Sequence, residues 1–148
     1  MISVFDVVKY ILSKKKPITA MKLQKLVYYC QAWSLVWDGK QLFREKIEAW
    51  ANGPVVKELY NDHRGMYEIV DIVRGNKNNL KDYQKETIDI VLEFYGNKTP
   101  QWLSDLTHME PPWREARRGI PNGDRGDNEI TLASMEEYYS SLDISDIQ

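Results

Sequence analysis

The chain has 148 residues, the length of a single domain, and its net charge of −2 provides no general attraction to nucleic acid or to anionic lipid. One Cys excludes an intramolecular disulfide framework and a cysteine-based zinc cluster, and two His cannot supply a rich metal site. No segment approaches the roughly 20 apolar residues that span a bilayer, and the N-terminus lacks the pattern of a cleavable signal, so we expect a cytoplasmic protein without a membrane, metal or cofactor association.

The chain is predicted to begin with a helix. Ser3 and Asp6 have the spacing of a capping box, with Asp in place of the usual Glu. Apolar residues then recur at helical spacing over residues 4–12. Pro17 should end this helix.

A second, longer helix is the strongest helical pattern in the sequence. Thr19 should cap its start, and Asp38-Gly39 should end it. Between them, apolar residues recur at spacings of three and four over residues 23–37. The polar residues of this segment are expected largely on another face of the helix: Lys22, Gln24, Lys25 and Gln31.

The next segment predicts a small β element and a third helix. Residues 42–43 and 47–50 are short, partly alternating stretches that favour an antiparallel pair. Asn52-Gly53 predicts a turn. Pro54 fits the first position of a helix that would carry residues 55–60.

The C-terminal half is predicted to be mostly helical. A short strand or extended loop is expected within residues 69–73, followed by a helix that opens at residue 82 or 83 and stops at Gly96. Thr99-Pro100 starts another helix, with Thr as the cap and Pro at the first helical position.

Two shorter helices should complete the fold. One begins at Pro111-Pro112, and the other is capped by Thr131, after a loop at residues 121–128 that is rich in Gly, Asn and Asp. The predicted architecture is mainly α, a single compact helical domain over residues 1–142 with a minor short antiparallel β element. Residues 143–148 are expected to form a flexible acidic tail.

No residue gives a strong catalytic signal. Cys30 lies within the apolar stripe of the second helix, where core packing is favoured over a role as a nucleophile. His63 is expected at a helix end, where a partly charged ring suits the negative terminus. His108 precedes prolines and aromatic residues that should fix its ring, so a bond within the core is favoured over an acid–base or partner-binding role. We expect that the protein is not an enzyme.

The charge is distributed unevenly along the chain. Residues 1–46 contain nine Lys or Arg and three Asp or Glu, whereas residues 126–148 contain six acidic residues and no Lys or Arg. The run Lys14-Lys15-Lys16, followed by Lys22 and Lys25, could belong to a DNA-binding helix–turn–helix. Solvated lysines at a helix junction are the favoured interpretation, because the long second helix has the apolar pattern of a central core helix.

Three segments carry a more specific signal than any of these motifs. They are residues 21–33 (MKLQKLVYYCQAW), residues 47–56 (IEAWANGPVV), and residues 103–108 (LSDLTH) with Pro112-Trp113. In this order and at this spacing they resemble the Panacea antitoxin-domain family of SocA-like and GepA-like, phage-associated proteins. The resemblance extends over about residues 2–139.

The resemblance implies a bacterial or prophage antitoxin of a toxin–antitoxin system. Its expected partner is a cognate protein toxin, encoded by a neighbouring gene and neutralised by direct binding. A protease or its adaptor machinery is a further implied partner, because some members of the family are taken to hand the toxin to a protease. Some relatives carry an additional DNA-binding domain, for which this chain should have no room. DNA is therefore not expected as a partner without such a domain. The alternative function is a DNA-binding transcriptional regulator of phage or prophage origin that uses the Lys14–Lys25 segment.

The residues that carry the resemblance are expected to be structural. They are Leu23, Lys25, Leu26, Tyr28, Trp33, Trp50, Gly53, Pro54, Val55, His108, Pro112 and Trp113. Toxin contacts are expected instead on exposed faces at residues 43–46, 62–67 and 121–128, since Trp, Tyr and Arg are the usual anchors of protein interfaces. The candidate partner-binding residues are Phe43, Arg44, His63, Arg64, Tyr67 and Arg125. No catalytic, cofactor-binding or metal-binding residue is expected.

Overall fold

The computed structural model describes residues 1–143, so residues 144–148 of the expected acidic tail lie outside the described residues. Over the described range, the helices are α1 (Val4–Lys14), α2 (Ala20–Trp37), α3 (Lys57–His63), α4 (Asp82–Tyr95), α5 (Pro100–Met109), α6 (Pro111–Ala116) and α7 (Leu132–Tyr139), with a short 3₁₀ helix at Lys77–Asn79. The strands are β1 (Ile18–Thr19), β2 (Ile47–Trp50), β3 (Gly53–Val56), β4 (Glu68–Ile69) and β5 (Glu129–Ile130). The predicted class, mainly α with minor antiparallel β, is confirmed.

The predicted starts of α1, α2, α5 and α7 are confirmed by their caps. At α1, the Ser3 side chain accepts from the backbone N–H of Phe5, and Asp6 accepts from the backbone N–H of Ser3, which completes the capping box. Thr19, Thr99 and Thr131 each cap a helix by accepting from the N–H three residues ahead. These bonds are local, so the sequence spacing alone could specify them.

Helix α2 lies at the centre of the fold, and every residue over 23–35 is buried. It packs against α1, α4, α5, α7 and β3. The expectation of a separate polar face is wrong for Gln24, Lys25 and Gln31, which are 3%, 2% and 1% exposed. A helix that is covered on all sides cannot enter a DNA groove, so the predicted helix–turn–helix alternative lacks its recognition helix.

The buried glutamines of α2 bind the backbone that covers this helix. The Gln31 amide donates to the Phe43 carbonyl at 2.9 Å, and its oxygen accepts from the N–H groups of Leu42 and Phe43. Gln24 forms the same kind of pair with Val56, accepting its N–H at 2.9 Å and donating to its carbonyl at 3.3 Å. Residues 42–43 therefore do not form the predicted strand, because their backbone groups are taken by a side chain.

The β element is a hairpin in which β2 pairs with β3, from Ile47 opposite Val56 to Trp50 opposite Gly53. The predicted helix at Pro54 is wrong: Pro54 to Val56 belong to β3, and α3 begins only at Lys57. Pro is tolerated there because β3 is the edge strand of the order β3-β2-β5.

Two further strands come from short segments. Strand β4 pairs with β1, which places Ile69 opposite Ile18 and partly confirms the strand expected within residues 69–73. Strand β5 adds to the other edge of β2, with Ile130 opposite Ile47. Neither β1 nor β5 was predicted, since each contains only two residues and is defined by its distant partner.

Candidate functional site

A cleft of about 490 Å³ opens beside the β2–β3 hairpin, and we call it the hairpin cleft. Its walls come from the first turns of α2, the hairpin, α3, and the loop residues 65–66 and 123–127. The structure therefore brings together two of the three faces expected to bind a partner, residues 62–67 and residues 121–128.

One wall of the hairpin cleft is aromatic. The rings of Trp50 and Tyr60 meet edge to face with their centroids 4.8 Å apart, and both side chains are half-buried. The Trp50 indole N–H donates to Glu48 Oε1 at 2.8 Å, which fixes the orientation of the ring. Trp50 was expected to be structural, and its ring also presents an apolar surface to the cleft.

Lys25 also lines the hairpin cleft, although it is only 2% exposed. Its Nζ donates to the Pro54 carbonyl at 3.3 Å, and burial lowers the pKa of Lys25 to about 8. Gly53 allows this approach: its φ is +124°, and a Cβ there would lie 2.6 Å from Lys25 Cε. Lys25 and Gly53, two residues that carry the family resemblance, therefore pack against each other.

His63 closes α3, as predicted, but it is only 4% exposed, so the expectation that it lies on an exposed partner-binding face is wrong. The expected partial charge is wrong as well. The bond from the Val56 N–H to Gln24 Oε1 fixes the Gln24 amide, so Gln24 Nε2 donates to His63 Nε2 at 2.9 Å. A ring nitrogen that accepts belongs to a neutral imidazole. Burial agrees with this state, because it lowers the pKa of His63.

The remaining partner-binding candidates lie in different places. Phe43 is 0% exposed, so the expectation that it binds a partner is wrong: its side chain belongs to the core. Arg44 is exposed near Met1 and does not line the hairpin cleft. Arg125 lines the cleft, and Arg64 and Tyr67 lie exposed on the loop that borders it.

His108 has the surroundings of a structural residue. Its ring stacks on Trp113 with the centroids 4.1 Å apart, and burial lowers the pKa of His108. Among residues 1–143, no side chain bonds to its buried Nε2. Trp113 in turn donates from its indole N–H to the Trp50 carbonyl at 2.8 Å, which ties α6 to the hairpin.

Arg117 positions the loop that carries Arg125, a role that was not predicted from the sequence. Its guanidinium donates to the carbonyls of Ala49, Pro121 and Asp124, while its plane lies over Trp113. The buried Arg117 therefore connects the hairpin to the loop at residues 121–128. Its position just before a Gly-rich loop is the only signal from which this contact could have been suspected.

Cys30 is fully buried in α2, which confirms core packing, and burial raises the pKa of its thiol. Within residues 1–143, no group of three or more His, Cys, Asp or Glu side chains could hold a metal ion. No helix in that range is long and apolar enough to cross a membrane.

Comparison with protein families matches residues 23–114 to the model "Antitoxin SocA-like, Panacea domain". Comparison with curated proteins found no match, and comparison with solved structures found none either. The matched segment is more than half of the chain and runs from α2 to α6, so it includes Lys25, the hairpin and α3. The chain belongs to the SocA-like, Panacea-domain family of antitoxins.

Proposed function

We propose that this protein is an antitoxin that neutralises a protein toxin, encoded by a neighbouring gene, by binding it directly and not by catalysis. The observation that carries this proposal is the family match over residues 23–114. A stoichiometric inhibitor needs a complementary surface of about 800 Å² and no reactive group.

The hairpin cleft and its rim supply the residue types that anchor such a surface. Trp50, Tyr60 and Arg125 line the cleft, and Trp, Tyr and Arg are enriched among the residues that dominate binding energy. Met66 and Tyr67 lie on the adjacent loop and are 48% and 79% exposed. Aromatic residues, Met and Arg are enriched in protein interfaces relative to the rest of the surface.

Growth of a bacterial host tests the proposal. The neighbouring gene is expressed alone and together with this protein, and we expect arrest in the first case and growth in the second. The double variant Tyr60→Ala/Arg125→Glu should fail to restore growth, whereas the matched change Arg44→Glu, away from the hairpin cleft, should restore it. Growth that is unaffected by the neighbouring gene, or a toxin that does not bind the purified protein, would refute the proposal.

The same cells distinguish occlusion from delivery to a protease. We propose occlusion, so the half-life of the toxin should be unchanged or longer when this protein is present. A shorter half-life, restored in a host that lacks its energy-dependent proteases, would indicate an adaptor role instead.

A further inference from the structure

Lys25 is a buried ammonium whose charge the described residues do not neutralise. Its three N–H donors have one acceptor, the Pro54 carbonyl, at 3.3 Å. No carboxylate in residues 1–143 forms an ion pair with it. Burying an unpaired charge costs free energy. A Met side chain would fill similar space without that cost, so packing alone does not account for a Lys at this position.

The surroundings of Lys25 favour an anion over a second cation. Lys57 and Arg125 line the same cleft, whereas the carboxylates that line it are Glu48 and Asp127. Glu48 is already bonded to an indole N–H in the cleft wall. The cationic side chains therefore outnumber the carboxylates, and the most deeply buried charge is positive.

The occupant should also have an apolar part. The aromatic wall of Trp50 and Tyr60 stands beside Lys25 in the same cleft. The volume of about 490 Å³ lies within the range of ligand-binding pockets, so the cleft can admit a side chain of a partner. The exposed Tyr67, which does not line the cleft, extends the contact surface beyond it, and this suits a polypeptide better than a free small acid.

We propose that the toxin inserts an Asp or Glu side chain into the hairpin cleft, where its carboxylate pairs with Lys25 Nζ and a neighbouring apolar side chain packs on Trp50 and Tyr60. This inference rests on the proposed function, because it names the chemistry by which the toxin is held. The pair forms only in the complex, so the free protein bears the cost of the buried charge and the bound protein does not. Residues that serve binding in this way are retained at the expense of stability.

The test compares Lys25→Met with Lys81→Met, which removes the same charge from an exposed position outside the hairpin cleft. The Tm of each variant is measured, and its affinity for the toxin of the neighbouring gene is measured by calorimetry. Lys25→Met should have an unchanged or higher Tm and should bind the toxin at least about 30-fold more weakly, as expected when one partner of a buried charge pair is removed. Lys81→Met should change the affinity less than about threefold.

A second measurement identifies the partner carboxylate. Each exposed Asp and Glu of the toxin is changed to its amide, and one of these changes should weaken binding to the wild-type protein but not to Lys25→Met. Such non-additivity is the signature of a direct pair.

The other outcomes are decisive as well. If Lys25→Met binds the toxin as tightly as the wild type does, the inference fails while the proposed function stands. If Lys25→Met has a lower Tm and loses affinity only as far as unfolding accounts for it, Lys25 is a structural donor to Pro54 and the inference fails. Saturable binding of N-acetylglutamate to the free protein, lost in Lys25→Met, would assign the cleft to a small acid and overturn it. If the wild type does not bind the toxin, the proposed function and this inference fail together.

Discussion

Glu110 connects α5 to α6 and gives the fold a specific pH dependence. It is 3% exposed, and its Oε1 accepts hydrogen bonds from Tyr29 Oη and Tyr139 Oη, both at 2.7 Å. The hydroxyl bonds favour the carboxylate, but burial dominates and raises the pKa of Glu110 to about 7. The folded protein therefore holds a proton that the unfolded chain, with a carboxyl pKa of 4.5, releases.

The size of the effect follows from that difference. Because the folded-state pKa is raised, the stabilisation from this proton is fully present below pH 4.5 and is lost as the pH rises through about 7. A difference of 2.5 pKa units at about 1.4 kcal/mol each corresponds to about 3 kcal/mol. Glu110→Gln cannot titrate, and its carbonyl oxygen can still accept from both tyrosines.

Urea unfolding of the wild type and of Glu110→Gln between pH 4.5 and pH 8 measures this effect. The free energy of unfolding of the variant, relative to the wild type, should increase by about 3 kcal/mol over this range. Taking the difference cancels the titration of His63 and His108, which both proteins share. Glu137→Gln, on the exposed face of α7, is the control and should run parallel to the wild type. Parallel profiles for Glu110→Gln would refute the reasoning, because they would mean that this carboxyl does not titrate with a raised pKa.

Four other substitutions test the structure around the hairpin cleft. Trp113→Ala removes a ring that is 5% exposed and should lower the free energy of unfolding, measured in urea, by about 3–5 kcal/mol. Trp50→Ala should lower it by less, because Trp50 is half-buried. Equal losses would contradict this placement of the two rings. Gly53→Ala forces a Cβ into Lys25 at positive φ and should cost about 1–3 kcal/mol, so an unchanged Tm would contradict that contact. Burial lowers the pKa of His63, so the stabilisation that its neutral ring gives the fold is present above pH 6.5 and is lost as the pH falls. His63→Gln should therefore reduce the fall in Tm as the pH is lowered below 6.5. If Tm falls as steeply as in the wild type, His63 is not the source of that pH dependence.

The elements that could be predicted from the sequence are those fixed by neighbouring residues. The starts of α1, α2, α5 and α7 each depend on a side chain within three residues, so Ser3, Thr19, Thr99 and Thr131 were sufficient to place them. The end of α4 at Gly96 was also predicted, although Gly96 has a φ of −65° and does not use the left-handed conformation that favours glycine. In these places local spacing and tertiary structure agree.

The prediction at Pro54 failed because the deciding contact is distant in sequence. A Pro after Asn-Gly fits a helix start, but Gln24 of α2 binds both backbone groups of Val56 and holds this segment as a strand. The burial of Lys25 was missed for the same reason, since the hairpin that covers it is distant in sequence. A polar residue at that position of an amphipathic pattern predicts solvent, and only the hairpin packed above it shows otherwise.

The hairpin cleft could not be predicted as a unit, although several of its parts were. Residues 62–67 and 121–128 were expected to be exposed, but nothing in the sequence indicates that they border one cavity. Arg117 brings the second loop to the hairpin through three backbone carbonyls, and such contacts leave no periodic pattern. Phe43 was wrongly predicted to be exposed for a related reason, because Gln31 from α2 binds both the N–H and the carbonyl of Phe43.

The contacts of the hairpin explain how residues with structural surroundings can still define a binding site. Its carbonyl groups accept from the side chains of four helical or loop residues: Arg117 on Ala49, Trp113 on Trp50, Ser104 on Asn52 and Lys25 on Pro54. These bonds hold the backbone of the hairpin, and the bond to Glu48 orients the Trp50 ring. The face of the ring that lines the cleft is therefore left for a partner. Trp113 and Ser104 are neutral donors, and the Arg117 guanidinium also donates to the carbonyls of Pro121 and Asp124. Lys25 differs, since a full charge is more than one carbonyl requires, and this excess is what a toxin carboxylate would satisfy.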